Sequence, residues 1–268
     1  MSLPRFFLSQ QVLSTISSSD FILELETEDV KHARVLRLLP KEHIAVIDAS
    51  LDYFECEIIS FDNEGMRVAI SKHTSYKAPS YAVTLVQGLP KGDKFDLILR
   101  HATELGVSAF IPFECERSVV KLDAKKAEKR KQRWESIVKS AAMQCGSASI
   151  PSIENLSTVS QVISLLESYD AVLILWEEAP ETCYIKQALS DVMTKIKEDN
   201  FHKPYQIAVV VGPEGGLSQT EVDIFRQKLS SASLVSLGST ILRTETAGIV
   251  GPALVLYELG ALGNMPLV

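Results

Sequence analysis

The sequence has little of what would tie it to a disulfide framework, a metal or a membrane. Its 268 residues hold only four cysteines, Cys56, Cys115, Cys145 and Cys183, widely spaced and without a CxxC pair. That spacing points to neither a zinc site nor a disulfide scaffold, so reduced thiols are the simplest state. The five histidines form no HxxxH or comparable ligand spacing, and no metal is expected. No apolar run is long enough to span a bilayer, because the C-terminal stretch Ile249–Leu262 is broken by Gly, Pro and Glu. Met1–Leu8 lacks the long apolar core of a signal peptide, so a cytoplasmic protein without a membrane partner is expected. Internal repeats and low-complexity tracts are also missing.

What is present is an ordinary globular composition, 46% hydrophobic and 23% charged. A formal net charge of −7 argues at first against a nucleic-acid partner. Its distribution says more than its sum. Residues 1–75 carry 7 Lys/Arg against 12 Asp/Glu, and residues 141–268 carry 7 against 14. Residues 91–140 carry 12 against 8, a net of +4. One basic segment thus lies between two acidic ones. Its densest part, Lys125–Arg133, includes Lys129, Arg130 and Lys131; such a run is usually a solvated helix face, and becomes a candidate for RNA-phosphate contacts where a polyanionic partner is expected on other grounds.

The first third reads as β. Phe54, Cys56 and Ile58 alternate with Glu55, Glu57 and Ile59, and Met66, Val68 and Ile70 with Arg67, Ala69 and Ser71. Period-2 alternation gives each strand one buried face. Asp62-Asn63-Glu64-Gly65 between them is a hairpin turn signal. His43–Ala49 is another strand, His32–Leu38 a short helix, and a small barrel of short strands fits. Ser75–Ser80 reads as a linker.

From Tyr81 on, strands alternate with helices. Strands are expected at Ala82–Gln87, Val107–Pro112, Ala171–Trp176, Ile207–Val211 and Leu234–Leu237. Helices are expected at Asp93–Leu105 (stopped by Gly106), Ala124–Cys145, Cys183–Ile196, Ser218–Leu229 and Thr246–Leu262. Ser218-Gln219-Thr220-Glu221 is a capping-box pattern. The alternation implies an α/β fold with a mostly parallel sheet covered on both faces.

Two strand ends carry candidate chemistry. Ile207–Val211 runs into Gly212-Pro213-Glu214-Gly215-Gly216 and then into the capped helix. Such loops lie where open α/β sheets bind ligands, and glycines let backbone approach a ligand closely. The loop is neither a GxGxxG fingerprint nor a P-loop, since no Gly-Lys-Ser/Thr follows. The second is Leu237-Gly238-Ser239-Thr240-Ile241-Leu242-Arg243-Thr244-Glu245-Thr246-Ala247. Either is by itself compatible with a tight turn or a capped helix start. Two such strand ends in one sheet favour a shared pocket.

The pair resembles the SPOUT class of methyltransferases. Pro4-Arg5-Phe6-Phe7, His32–Leu38, Lys91-Gly92-Asp93-Lys94, Glu104-Leu105-Gly106-Val107 and Glu116-Arg117-Ser118 are similar to one subfamily, ribosomal RNA small subunit methyltransferase E. The resemblance covers nearly the whole chain. It implies a PUA-like RNA-binding small β-barrel (1–74) followed by a SPOUT α/β-knot domain (75–268), whose loops form a deep trefoil knot. Ordinary topology rules nearly exclude knots, so residue patterns alone cannot reveal one. It further implies S-adenosyl-L-methionine as cofactor and methylation of N3 of a uridine in 16S rRNA of the small ribosomal subunit (uracil 1498 in standard rRNA numbering). A homodimer is implied too, with Thr246–Leu262 at or near the interface.

At matching positions the resemblance assigns cofactor contacts to Gly212, Pro213, Glu214, Gly215, Gly216, Leu237, Gly238, Leu242, Thr246 and Ala247. It places Arg243 next to the chemistry, where it can stabilise a uridine anion. Glu245 or Glu214 is either a base or a structural cap. Arg5, Arg34, Arg37, Lys91 and Arg117 fall in family motifs as RNA contacts; for the three in the acidic N-terminal part the alternative is salt bridging with Glu26, Glu28 or Asp29. Gln144-Cys145-Gly146 is followed by Ser147 where the family pattern usually has Arg, which bears on substrate contacts. Another SPOUT specificity (ribose 2′-O or tRNA) and a non-catalytic ribosome assembly factor are the competing readings. Intact loops disfavour the second.

Overall fold

Alternating apolar residues at Phe54–Ile58 and Met66–Val68 fall on paired strands and together make one apolar face that needs a core to bury it. The structure, a computed structural model, describes residues 3–12, 20–23, 25, 27–62, 65–77, 79–180, 184–198 and 203–262. Asn63 and Glu64 of the hairpin turn, Ala78 of the linker, Cys183 and Glu26 lie outside the described residues. By contacts the chain divides into two units, Met1–Lys77 with Ala142–Ser149, and Ala78–Ala141 with Ile150–Val268.

The first unit contains β1 (Arg5–Phe7), β2 (Asp20–Leu23), α1 (Thr27–Val35), β3 (His43–Ile47), β4 (Tyr53–Asp62) and β5 (Gly65–Thr74). The sheet runs β1-β3-β4-β5-β2. β1 pairs with β3 in parallel and the other pairs are antiparallel. Asp62 pairs with Gly65, as a two-residue connection requires. Register shifts at Glu55/Cys56 and Ile58/Ser60 bend β4, which curls the sheet around its core. That core holds Phe6, Leu23, Ile44, Val46, Phe54, Cys56, Ile58, Met66 and Val68, with Met143 added from far along the chain. Arg5 ties the same distant segment by donating to the carbonyls of Gly146 and, at 2.6 Å, Ser147. The helix expected at His32–Leu38 lies earlier, at Thr27–Val35, because Arg37 takes a left-handed φ of 51° that no helix continues through.

The second unit contains β6 (Tyr81–Gly88), α2 (Lys94–Leu105), β7 (Ala109–Glu114), α3 (Ala124–Cys145), β8 (Ser152–Ile153), β9 (Ser157–Thr158), α4 (Val159–Leu166), β10 (Ala171–Leu175), α5 (Ile185–Ala188), α6 (Ser190–Glu198), β11 (Tyr205–Val211), α7 (Gln219–Lys228), β12 (Ala232–Val235) and α8 (Thr244–Glu258). The last turn of α3 is counted with the first unit. The sheet runs β12-β10-β11-β6-β7-β8, with β9 also on β7, and every described pair is parallel. Two cores cover its faces. One gathers Leu85, Ile98, Trp134, Val138, Val209 and Val255; the other gathers Val86, Phe113, Leu166, Val210, Val222 and Phe225.

After β6 the chain turns toward β7, whereas after β11 it passes β10 to reach β12. The C-terminal ends of β6 and β11 therefore flank a topological switch point, the place where open parallel sheets bind ligands. The helix expected at Cys183–Ile196 is two helices, α5 and α6, separated at Leu189. The last helix starts earlier and stops at Glu258, because Gly260 takes φ 80° and the amides of Gly260 and Ala261 turn back to Tyr257 and Leu256.

α7 carries the capping box read from the sequence, with Ser218 and Glu221 bonded reciprocally. The buried Glu221 carboxylate also accepts from the amide of Glu116 at 2.7 Å, so one side chain joins the helix start to the loop after β7. Glu221→Ala removes both acceptors and leaves one buried amide, that of Ser218, and one part-buried amide, that of Glu116, short. It should cost about 2 kcal/mol of the second unit's stability in urea unfolding.

Candidate functional site

Neighbouring strand ends build one cleft of about 500 Å³. Its wall comes from Leu175, Val211 and Val235, at or next to the ends of β10, β11 and β12, with Leu237, Leu242 and Ala247 beyond them. Its polar edge comes from the loop after β11 and from Glu177, two residues past β10. The volume, and an apolar wall faced by a polar edge that includes Glu177, Glu214, Arg243 and Thr244, suit a small organic ligand with a flat apolar ring and polar substituents.

The loop after β11 can take this shape only with glycine at two points. Gly216 has φ +68°, and a Cβ on Gly212 would lie 2.7 Å from the carbonyl carbon of Gly216. Beneath them, Gln87 at the end of β6 is fully buried. Its amide nitrogen faces the carbonyls of Gly88 (3.0 Å) and Gly212 (3.2 Å) and the Thr244 hydroxyl (2.9 Å). Thr244 donates to the Gly212 carbonyl at 2.6 Å. Three segments far apart in sequence are thus joined at one oxygen.

Of the residues expected to hold the cofactor, Gly212, Pro213, Glu214, Gly216, Leu237, Gly238, Leu242 and Ala247 line the cleft, as does Arg243. Gly215 and Thr246 do not. Gly215 faces the loop after β7, where Arg117 donates to its carbonyl at 3.1 Å. Thr246 is half-buried in the first turn of α8, next to Ala247, which does line the cleft.

The two candidate carboxylates share one counterion. Lys94 lies 3.0 Å from Glu214 and 3.2 Å from Glu245. Burial raises the Glu214 carboxyl, but its own backbone amide, Lys94 and the Lys91 amide (3.0 Å) outweigh that and hold it below the ordinary carboxylate range. Glu245 is also held low, first by its own amide, against burial, and then by Lys94. Lys94 is raised by its hydrogen bonds to Glu214 and Glu245. All three are charged at neutral pH, and each carboxylate is a weakened base.

The RNA candidates are more dispersed. Arg34, Arg37, Lys91, Arg117 and Lys129 are exposed. Among the described residues Arg34 and Arg37 have no ion pair. Arg5 is half-buried, commits its guanidinium to Gly146 and Ser147, and lies 5.5 Å above the Tyr53 ring. Arg130 is half-buried, and Lys131 donates to Asn155 at 2.8 Å. Gln87, Lys94, Thr244 and Glu177 were not singled out from the sequence. Gln87 had a signal, an amide closing an apolar strand; Lys94 and Thr244 stood inside quoted motifs.

The sign of the Lys94 linkage sets a test. The depressed carboxylates contribute stability above their ordinary value of 4.5, lost as pH falls through the folded values. The raised lysine contributes below 10.5, lost as pH rises through its folded value. Lys94→Met should therefore lower the melting temperature most near neutrality. Scanned against pH, the deficit should shrink as pH falls through the depressed values of the two carboxylates and disappear once both are protonated.

The RNA methyltransferase domain family matches residues 77–256. The ribosomal RNA small subunit methyltransferase E of Bacillus subtilis is 33% identical, over 86% of this chain and 88% of its own length. That of Mycobacterium bovis is 30% identical, over 94% and 89%. A crystal structure of the Neisseria gonorrhoeae enzyme of the same name, bound to S-adenosyl methionine, superposes with TM-score 0.76 at 28% identity, covering 95% of this chain and 97% of that one. Likeness of this extent, running through both units and both glycine loops, shows that the chain belongs to the ribosomal RNA small subunit methyltransferase E family.

Proposed function

We propose that this protein transfers the methyl group of S-adenosylmethionine to N3 of a uridine in 16S rRNA. One observation carries the reading: the Gly212–Gly216 loop and the Leu237–Ala247 segment meet in a single cleft at the sheet's C-terminal edge. The residues fit an adenosyl cofactor. Leu175, Val211, Leu237 and Leu242 offer an apolar wall for its base, and the glycine loop admits it to backbone. When bound, the cofactor supplies an electrophilic methyl group. Gly212, Pro213, Glu214, Gly215, Gly216, Leu237, Gly238, Leu242, Thr246 and Ala247 then form its surroundings, Gly215 and Thr246 by shaping the loop and helix that carry the others.

Uridine N3 bears a proton and is a poor nucleophile until that proton leaves. Arg243 is exposed at the cleft and stays charged throughout the accessible pH range. It stabilises the negative charge that develops on a uracil oxygen. Glu214 and Glu245 are within reach of the cleft, but their ion pairs with Lys94 weaken both as bases. In this reading the proton passes to solvent as the anion forms against Arg243. Lys91, Arg117, Lys129, Arg130 and Lys131, with Arg34 and Arg37 of the first unit, contact phosphates. Arg5 acts through the turn it holds at Gly146. The same reading includes a PUA-like barrel in residues 1–74, a trefoil knot in residues 75–268, a homodimer and a cytoplasmic location.

Mass mapping of 16S rRNA treated with the protein and S-adenosylmethionine should find one added methyl on a uracil base. A methyl on ribose, or none, would overturn the assignment. Arg243→Ala should lower kcat roughly 100-fold with RNA affinity nearly unchanged. A loss confined to KM and RNA binding would make Arg243 a phosphate anchor instead.

A further inference from the structure

We propose that Glu177 is the acceptor for the ribose hydroxyls of the adenosyl cofactor, an inference that rests on the cofactor reading above. Two other carboxylates lie at or beside the cleft, Glu214 and Glu245, and both are engaged by Lys94. Glu177 lines the cleft and has no hydrogen-bond or ion-pair partner among the described residues. Its neighbour Glu178 is equally exposed but does not line the cleft.

Placement gives the carboxylate its task. Glu177 lies two residues past the end of β10, and β10 lies beside β11, the strand that ends in the glycine loop. A glycine loop after one parallel strand and an acid just past the end of another is the arrangement by which dinucleotide folds take a ribose diol. Here it is built from different residues on a different strand order. A vicinal diol offers two donors at a spacing that the two oxygens of one carboxylate accept together, and charged acceptors make the stronger bonds.

The opposite wall is shaped around the same group. A Cβ on Gly216 would collide with Oε1 of Glu177, with its other carboxylate atoms at 3.2 Å. Glycine at 216 is called for by its left-handed φ of +68°, and the close approach shows that the Glu177 carboxylate lies against the glycine loop. The loop that admits the cofactor and the acid that orients it are in contact before any ligand arrives.

The test is calorimetric titration of the full chain with S-adenosylmethionine and with methylthioadenosine. The second ligand keeps the base and ribose but lacks the amino-acid portion and the sulfonium charge. Glu177→Ala should weaken both ligands by on the order of ten- to hundredfold, with Glu177→Gln between it and the wild type. The unliganded melting temperature of both variants should match the wild type, because the side chain is exposed. With 2′-deoxy-methylthioadenosine the difference between wild type and Glu177→Ala should shrink. Weakening of S-adenosylmethionine alone would move the contact to the amino-acid portion and overturn the ribose assignment, as would unchanged affinities for both. If the wild type binds neither ligand, the cofactor reading itself falls.

Discussion

The carbonyl oxygen of Gly212 is the point on which the cleft depends. Thr244 and Gln87 both donate to it, and Gln87 also reaches the Gly88 carbonyl. The groups are buried, where an unmade hydrogen bond costs far more than a made one contributes. Three segments must therefore arrive together: the end of β6, the loop after β11 and the start of α8. The packing around the node is equally exacting. The other amide atom of Gln87 is pressed against α8, and a Cβ on Gly248 would come within 2.6 Å of it. A helix interior normally disfavours glycine; here the buried amide leaves no room for anything larger. Because two donors already occupy the Gly212 carbonyl, a ligand at this residue must meet other atoms of the loop.

The same region is joined a second time at the rim. Lys94 from α2 links Glu214 of the loop after β11 to Glu245 of α8. The inner link is neutral and shielded from solvent. The outer one is ionic, partly exposed, and open to screening by salt and to titration. Two layers of unlike chemistry thus hold one geometry. The buried layer sets where the loop and the helix start lie, and the ionic layer sets the electrostatics at the mouth. Carboxylates that would otherwise repel each other, and repel an approaching polyanion, are neutralised in part by one lysine between them.

Much of this was legible in the sequence where a local rule was strong. Strict alternation located β4 and β5, the Ser218–Glu221 box located the start of α7, and Gly106 located the end of α2. Both glycine loops stood out for their composition. Local rules failed where a distant residue decided. The edge strands β1 and β2 are three and four residues long, too short for any period to show. α4 begins with a Thr158–Gln161 capping box as regular as that of α7, a signal present and unread. Nothing near Met143 or Gly146 announces that they pack with residues of the N-terminal sheet. The hydrogen-bond roles of Gln87 and Thr244 depend on a strand order that periodicity cannot supply. Glu177 looked like any polar residue after a strand until Gly216 was placed against it.

The charge distribution then takes on a more specific meaning. A chain of net −7 must bring a polyanion close to a site lined partly by carboxylates. Summed over residues 91–140 the basic excess is only +4, counted net of the segment's own acids, and several of its cations have fixed partners. Arg133 is paired with Asp96 and Asp93, Lys126 with Asp123, Lys131 with Asn155 and Lys94 with the two cleft carboxylates. Long-range attraction between the whole protein and RNA is therefore weak. In the proposed reading, what remains for RNA is a small set of cations placed by loops that already have structural duties. The Lys91 backbone is held by Glu214 while its side chain stays exposed, and Arg117 uses one guanidinium nitrogen on Gly215. Each is fixed to the glycine loop that shapes the cleft. Under the proposed function, a phosphate bound there would be registered against the cleft by the same atoms that shape it, so positioning rather than bulk charge would bring the target nucleotide to Arg243.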